Sequence, residues 1–310
     1  MNATFRIVSV FLLMVALPVG AVFAENDANH GPYQATSLLG TKLYAPAEVS
    51  DNMLEKLAQA KADYRANPDD ADAIIWYGRR IGYTGDYLSA IEVFSEGVAK
   101  HPSDARMYRH RGHRYISIRE FDKAIADYLI AVELIKGQPN EIEPDGAPNA
   151  RGIPVSTKHG NIWYHLGLAY YLKHDFEKAL WAYTEARNAG KLPDNIVSTT
   201  HWIYMILRRL GRDAEAVQAL DVITADMDII ENFSYYKLCL LYKGLLSYDE
   251  LAREVSDSPQ GAGTVYGLAN WKYYGGEREE ALATMRLYIE ASQGWSAFGF
   301  IAAEVDVSKH

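Results

Sequence analysis

The sequence predicts an all-α, right-handed solenoid of stacked helix pairs that ends in a capping helix. The segment AIIWYGRR at 73–80 is echoed by MYRHRGHR at 107–114, so that Gly78 and Gly112 hold corresponding positions. Pro68 and Pro102 are separated by the same interval as the two glycines. A helix-pair unit repeated at this period, about 34 residues, cannot bury its apolar face alone, so neighbouring units are expected to stack around a shared core.

The first 24 residues predict a secretory signal peptide. One arginine precedes an apolar run at 7–22, and a small-residue cleavage site follows at Ala24. An uncleaved anchor is the competing interpretation, but the run is short for a bilayer span and contains Pro18 and Gly20. We therefore expect cleavage after Ala24, export to the periplasm or beyond the cell, and no stable membrane insertion afterwards. Residues 25–50 form an N-terminal extension.

Cysteine content and charge limit the possible partners. Cys239 is the only cysteine, which excludes an intramolecular disulfide. The chain carries 31 Lys+Arg and 40 Asp+Glu, a net charge of −9, and removal of the signal peptide with its single arginine leaves −10. This acidity argues against nucleic acid as the partner.

The repeat array is predicted over residues 51–292. The helix at about 51–66 is the second half of an incomplete unit, and two clear units follow at 71–104 and 105–138. Small residues such as Gly78 and Gly112 allow close crossing of the two helices in a unit. Asp70 and Asp104, placed just after Pro68 and Pro102, are expected to cap the next helices.

After the second unit the period slips, because the next matching glycine, Gly167, lies well beyond one further period from Gly112. The additional residues lie in an insertion at 137–159 that contains Pro139, Pro144, Pro148 and Pro154, so it cannot be helical throughout. It is either a flap over the groove or a tolerated surface insertion. Weaker units follow around 203–220, 237–255 and 267–291, and residues 293–310 are expected to form the capping helix and tail.

The units led by Gly78, Gly112 and Gly167 resemble tetratricopeptide repeat (TPR) proteins. In addition, RHRGHRYIS, NIWYHLGLAYYL and THWIYMILRRLG are similar to segments of exported bacterial TPR proteins without an assigned activity. This resemblance implies a binding scaffold but does not name the ligand.

A ligand-binding groove is predicted from the first helix of each unit. Residues three or four positions apart on such a helix share one stripe, and the stripe facing away from the second helix lines the concave surface. The predicted groove residues are Arg79, Tyr83, Arg106, Arg109, His113, Asn161, Tyr164, Tyr171, His201, Arg208, Arg209, Tyr236, Lys243, Tyr266, Asn270 and Tyr273. They are rich in basic and aromatic side chains, although the whole chain is acidic.

Guanidinium groups among aromatic rings suit a ligand that carries carboxylate, sulfate or phosphate groups. The first hypothesis is therefore a non-catalytic exported scaffold that binds an extended acidic peptide segment of another envelope protein. The alternative is an accessory protein of polysaccharide utilisation that binds acidic or sulfated oligosaccharides, and a second alternative is an enzyme with an unrecognised site. The competing structural interpretation is that these side chains form solvated ion pairs and packing contacts.

No catalytic, metal or cofactor site is predicted. The sequence contains no phosphate-binding glycine loop and no nucleophile elbow, so we expect no enzyme activity and no cofactor. His110 and His113 are three positions apart, but Arg109, Arg111 and Arg114 beside them would oppose a metal cation. The histidines His113 and His201 are instead expected to be groove residues that gain charge as the pH falls.

Overall fold

The computed structural model describes residues 30–256 and 262–310, and within them it confirms the predicted all-α array of helix pairs. The predicted signal peptide lies outside the described residues. The elements in order are β1 Tyr33–Thr36, β2 Lys42–Tyr44, α1 Asp51–Ala66, α2 Ala71–Tyr83, α3 Tyr87–Lys100, α4 Ala105–Ser117, α5 Phe121–Leu134, α6 Lys158–Leu172, α7 Phe176–Ala189, α8 Pro193–Arg209, α9 Asp213–Ala219, α10 Phe233–Tyr242, α11 Tyr248–Ser256, α12 Ala262–Tyr274, α13 Arg278–Ala291 and α14 Phe298–Ser308.

Six helix pairs follow the solitary helix α1 in the part of the chain that the structure describes. The pairs are α2–α3, α4–α5, α6–α7, α8–α9, α10–α11 and α12–α13, and each first helix packs on its own second helix. The fourth pair is irregular, because α9 has only 7 residues and continues into a 3₁₀ turn at Leu220–Val222. None of the helices in the described ranges combines the length and apolar character needed to cross a bilayer.

The turns between units begin the next helices as the sequence predicts. The carboxylate of Asp70 accepts a hydrogen bond from the backbone N–H of Ala73 at 2.7 Å. The carboxylate of Asp104 accepts one from the N–H of Arg106 at 2.9 Å. Both bonds satisfy donors that the first helical turn leaves without partners, so the two predicted N-caps are confirmed.

Glycine permits the close crossing inside each of the first units. A Cβ atom at Gly78 would lie 2.6 Å from the ring of Phe94, and one at Gly112 would lie 2.9 Å from the ring of Tyr128. These aromatic side chains come from the second helix of each unit and are fully buried. Glycine therefore recurs at a regular spacing because the same contact with an aromatic ring is repeated in these units.

The turn within a helix pair needs a left-handed residue. Gly85 and Gly211 supply it in the first and fourth pairs, with φ of 86° and 71°. The second and third pairs place Arg119 and His174 there instead, with φ of 68° and 61°. Side chains in this region carry a steric cost of roughly 1–2 kcal/mol, so their retention indicates a compensating contact.

The compensating contacts come from α14, which covers the last pair and also extends into the interior of the array. Every residue from Gly299 to Val307 is buried, whereas a terminal cap presents a polar outer face to solvent. Arg119 contacts Glu304, and His174 Nε2 lies 3.0 Å from Asp306 Oδ1. The predicted capping helix is therefore also an internal helix that joins distant pairs.

The N-terminal extension forms a small hairpin, β1–β2, that the sequence did not predict. The backbone N–H of Leu38 donates to Glu304 Oε1 at 2.8 Å. The indole of Trp295 donates to the carbonyl of Tyr44 at 2.9 Å and packs edge-on against the ring of Tyr87. The hairpin, the first pair and the C-terminal segment are thus in direct contact.

Most of the apolar core is continuous from α4 to α14. Trp202 is 1% exposed and packs against Tyr183 and Tyr171. Trp181 is 45% exposed: it lies on the outer surface and packs edge-on against Trp163.

Candidate ligand-binding groove

The insertion 137–159 lies across the first helices of the first three pairs. The guanidinium of Arg79 on α2 donates to the carbonyl of Pro144 at 2.9 Å and also to the hydroxyl of Tyr83. The neighbouring Arg80 donates to the carbonyl of Gly146 at 2.8 Å. Arginines of α2 therefore hold the main chain of a segment of this protein, and the insertion covers part of the predicted groove.

A carboxylate of the insertion joins two of the predicted groove residues. Glu143 is 9% exposed; its Oε1 lies 3.0 Å from Nη2 of Arg109, and its Oε2 accepts from Asn161 Nδ2 at 2.9 Å. Nε2 of His110 is 4.0 Å from the same carboxylate. Arg109 and Asn161, which the sequence places on different helices, therefore converge on one acidic group.

Two further basic side chains lie at the outer end of this face, and both have acidic neighbours. Arg106 forms ion pairs with Asp104 at 2.6 Å and with Asp72 at 2.5 Å. The hydrogen bond to Asp104 is the main reason that the pKa of Arg106 lies above its ordinary value. Lys158, the first residue of α6, pairs with Glu141.

A cavity of about 310 Å³, here called the entrance pocket, opens between α2, α4, α6 and the insertion. It combines an apolar wall with four basic and three acidic side chains. Its lining residues are Asp72, Ile75, Trp76, Arg79, Arg106, Arg109, His110, Glu141, Ile142, Glu143, Pro144, Lys158 and Ile162. Arg79, Arg106 and Arg109 of the predicted groove meet here, and the pocket remains open to solvent.

The second half of the predicted groove is occupied by α14. Arg209 donates to Asp306 at 2.6 Å and to Asn270 at 2.8 Å, and its guanidinium lies 3.9 Å from the ring centre of Tyr273. Tyr266 also donates to Asp306, at 2.9 Å. Burial raises the pKa of Asp306, but contact with His174 and the charge of Arg209 outweigh it and bring the pKa below its usual range. The carboxylate is therefore ionised and bound.

Four of the predicted groove residues are buried and line no open surface. Tyr171, His201, Tyr266 and Asn270 are each at most 2% exposed. The hydroxyls of Tyr171 and Tyr266 are 2.5 Å apart, and Asn270 donates to Tyr171 at 3.1 Å. The prediction that they line an open groove is wrong, because internal hydrogen bonds and α14 occupy their polar groups.

The predicted histidine charge is also wrong. Desolvation lowers the pKa of His113 well below its ordinary value, and the charge of Arg114 lowers it further. Burial lowers the pKa of His201 to about 3, and its Nδ1 lies 3.1 Å from the hydroxyl of Tyr242. Both rings are therefore neutral and stay so over the pH range in which an ordinary histidine gains charge.

Four other predicted residues make internal contacts away from the entrance pocket. Tyr164 accepts from the indole of Trp202 at 2.7 Å. Arg208 pairs with Asp213 at 2.8 Å. The hydroxyl of Tyr236 donates to the carbonyl of Thr224 at 2.8 Å, and Lys243 donates to the carbonyl of Leu220 at 3.2 Å. The structure does not bring Arg208, Tyr236 or Lys243 into the entrance pocket.

Several residues of the inner surface lie outside the predicted groove. Trp76 lies three positions before Arg79 on the same helix, so the stripe rule could have included it. Arg119 and His174 occupy the turn position that holds Gly85 in the first pair, and that replacement is visible in the repeat alignment. Glu143 carries no comparable signal, because nothing in the insertion specifies which of its acidic residues turns inward.

Residues 30–256 and 262–310 contain no group of three or more histidine, cysteine, aspartate or glutamate side chains arranged to hold a metal ion. Cys239 is a buried thiol, and burial raises its pKa. The entrance pocket itself places guanidinium and ammonium donors beside an apolar wall.

No family model matches the sequence, and no curated protein matches it. Solved structures similar to it include MamA from Desulfovibrio magneticus, at 18% identity over 55% of this chain and 82% of that one, with a TM-score of 0.42. YrrB, described as a TPR protein with an unusual peptide-binding site, is 15% identical over 76% of this chain and 95% of that one, with a TM-score of 0.41.

The TPR-like repeats of the Podospora anserina kinesin light chain are 14% identical over 71% of this chain and 93% of that one, with a TM-score of 0.43. These likenesses concern the fold alone. In its fold, the chain is an array of stacked helix pairs whose first two units recur at a tetratricopeptide-like spacing.

Proposed function

We propose that this protein is a non-catalytic, exported interaction scaffold that binds an extended acidic segment of another envelope protein in the entrance pocket. The observation that carries the proposal is that basic side chains of the repeat array already bind acidic segments of their own chain. Arg109 holds Glu143 of the insertion, and Arg209 holds Asp306 of α14. The same residue types line the entrance pocket, which is open.

The bound insertion indicates how a partner segment would be recognised. Arg79 and Arg80 donate to main-chain carbonyls at Pro144 and Gly146, while Arg109 receives the side chain of Glu143. Guanidinium groups thus bind both main-chain carbonyls and one carboxylate of an extended segment. A partner segment that continues this arrangement would place its acidic groups near Arg106 and Lys158.

The positive charge of Arg79 in the entrance pocket favours an acidic partner segment. Arg79 has no carboxylate within ion-pair distance among the described residues, whereas the chain as a whole is strongly acidic. A neutral segment would leave this cation unpaired, and a basic segment would be repelled by it.

Acidic or sulfated oligosaccharides remain the second candidate, because the entrance pocket places Trp76 beside its basic residues. An indole face can stack against a sugar ring while guanidinium groups bind its carboxylate or sulfate. The guanidinium of Arg79 lies 4.4 Å from the ring centre of Trp76, so cation and aromatic ring belong to one surface.

A titration of the full chain by calorimetry tests the proposal. The panel consists of glutamate-rich decapeptides, glutamine-substituted peptides of the same length, uronate oligosaccharides and sulfated oligosaccharides, each at low salt and at about 0.3 M salt, where screening is strong. We expect the acidic peptides to bind with an affinity that falls at high salt, because screening shortens the reach of exposed charges.

Two double variants test whether peptide binding depends on the cations of the entrance pocket or on positive surface charge in general. Arg106→Gln with Lys158→Met removes two cations from the entrance pocket, and Lys123→Met with Lys178→Met removes two exposed cations from the second helices α5 and α7. We expect the first pair to weaken acidic-peptide binding at least about ten-fold and the second to leave it unchanged. Binding of oligosaccharides alone would replace the first candidate by the second, and equal effects of both pairs would refute the pocket.

Export is a separate proposal that rests on residues 1–24. Expression of the full chain in a bacterial host, followed by N-terminal sequencing of the envelope fraction, tests it. A mature terminus at Glu25 is the expected result, and an intact chain in the cytoplasmic fraction would contradict it.

A further inference from the structure

Behind the entrance pocket lies a second, smaller cavity of about 100 Å³. Three arginines line it: Arg79, Arg109 and Arg114. It shares Arg79 and Arg109 with the entrance pocket, so the two cavities adjoin. One water needs roughly 10–15 Å³ on this measure, so the cavity has room for several waters or one small polyatomic ion.

The positive charge around this cavity is incompletely balanced. Arg109 pairs with Glu143, and Asp145 of the insertion interacts with Arg79 through its charge. Arg114 makes no ion pair among the described residues: its contacts are a hydrogen bond to Nδ1 of His113 at 2.8 Å and the ring of Tyr87 at 5.1 Å. Arg114 is half-buried, and a guanidinium held there without a counter-charge favours an anion at this position.

The surrounding side chains add donors and no further acid. Desolvation lowers the pKa values of His110 and His113 well below the ordinary value, so both rings are neutral. Each accepts a hydrogen bond at Nδ1 from an arginine, His110 from Arg109 at 3.0 Å, which leaves the ring proton on Nε2. Nε of Arg109 is buried and has no hydrogen-bond partner within the described ranges.

We propose that Arg79, Arg109 and Arg114 form a receptor for a single tetrahedral oxyanion, a phosphate or a sulfate group. Planar guanidinium forks match the oxygens of such a group, and three of them around one small cavity supply convergent donors. The cavity has room for a small polyatomic ion, so the group is either a free ion or the end group of a larger ligand that fills the entrance pocket.

The proposal rests on the proposed function in one respect: a larger ligand would reach the oxyanion receptor through the entrance pocket. In that case the acidic segment of the partner carries a phosphate or sulfate ester, either at its end or along its length. Binding of the free ion is independent of any partner, so the two proposals can fail separately.

The test measures the melting temperature of the full chain in buffer free of phosphate and sulfate, with inorganic phosphate, inorganic sulfate or chloride added at matched ionic strength. An anion that binds only the folded state raises the melting temperature. We expect phosphate, sulfate or both to raise it above the chloride value. A rise with O-phosphoserine or glucosamine 6-sulfate larger than with the free ions would identify an end group; an equal or smaller rise would identify a free ion.

The variant Arg114→Met tests whether the anion binds in this cavity. Arg151→Met is the control, because Arg151 is an exposed arginine of the insertion that pairs with Asp228. Arg114→Met removes an unpaired charge and fills similar volume, so we expect it to fold and to bind the oxyanion at least about ten-fold more weakly. The control is expected to keep the full response.

Equal responses of the parent chain to phosphate, sulfate and chloride would overturn the oxyanion receptor, as would a response that survives in Arg114→Met. Acidic-peptide titrations on the same variants keep the two proposals distinct. Loss of the peptide signal in Arg106→Gln/Lys158→Met with an intact phosphate response would support both, whereas a phosphate response without any peptide binding by the parent would refute only the proposed function.

Discussion

Arg119 and Glu304, 185 positions apart in the chain, form a buried two-point ion pair. Nε of the arginine donates to Oε1 at 3.1 Å and Nη2 donates to Oε2 at 2.7 Å, with side-chain exposures of 3% and 1%. Arg119 has a left-handed backbone in the turn where the first and fourth pairs have glycine. The turn of the second pair is therefore adapted to hold the C-terminal helix.

Replacement of this arginine tests that relationship. Arg119→Gly suits the left-handed turn but leaves Glu304 as an unpaired buried charge, a loss of about 3–5 kcal/mol that relief of strain offsets by roughly 1 kcal/mol. We expect the free energy of unfolding to fall by about 2–4 kcal/mol in chemical denaturation. In a Glu304→Gln background the same substitution should cost much less, and additive costs in the double-mutant cycle would contradict the coupling.

The buried histidines predict acid sensitivity. Burial lowers the pKa of His201 to about 3, while an unfolded histidine titrates near 6.5. Below pH 6.5 this histidine binds a proton in the unfolded state but not in the folded state. The free energy of unfolding therefore falls as the pH drops from about 6.5 towards 3. Between pH 7 and pH 5 this group alone should cost about 2 kcal/mol.

The measurement is urea denaturation of the parent chain and His201→Asn at both pH values. Asparagine retains a polar partner for the hydroxyl of Tyr242, which lies 3.1 Å from Nδ1 in the parent. The variant lacks the titrating ring, so it should lose about 2 kcal/mol less than the parent on acidification. Identical losses in the two proteins would assign the acid sensitivity to other groups.

Asp194 organises the segment that leads into α10. It is fully buried, and its carboxylate accepts hydrogen bonds from the backbone N–H groups of Ile230, Glu231 and Asn232 at 2.8–2.9 Å. Asp194→Asn replaces one acceptor oxygen by an N–H₂ donor that faces those amides. We expect a loss of about 2–4 kcal/mol and faster amide exchange at 230–232, because buried donors lose their acceptor.

Asp221→Asn is the matched control, since Asp221 is an exposed aspartate in the 3₁₀ turn after α9. It should change stability by less than about 0.5 kcal/mol. Protection at 230–232 that is equal in both variants would show that the carboxylate does not hold this segment.

Close helix crossing predicts the response to an added methyl group. Gly78→Ala places Cβ 2.6 Å from the ring of Phe94, and overpacking of this kind costs about 1–3 kcal/mol. Phe94→Leu in the same chain should recover part of the loss. Gly294→Ala, where the nearest atom is 3.5 Å away, should cost little, and thermal or urea unfolding of the three proteins measures the difference.

Local sequence determined the helix pairs of this protein. The spacing of Gly78 and Gly112, the capping aspartates Asp70 and Asp104 and the prolines before them act within one unit or between adjacent units, so a repeating pattern shows them. The stripe rule also located Arg79, Arg106 and Arg109, because three- and four-residue spacings fix which side chains share a helix face.

Only the tertiary structure decided what fills the inner surface. The contacts of Arg119 with Glu304, of Arg209 with Asp306 and of Arg109 with Glu143 join residues that are far apart in the chain. No periodicity links such pairs, because each depends on how the whole array curves and where the C-terminal helix and the insertion pack. Sequence spacing thus determined the scaffold, and long-range packing decided which part of its groove remains open.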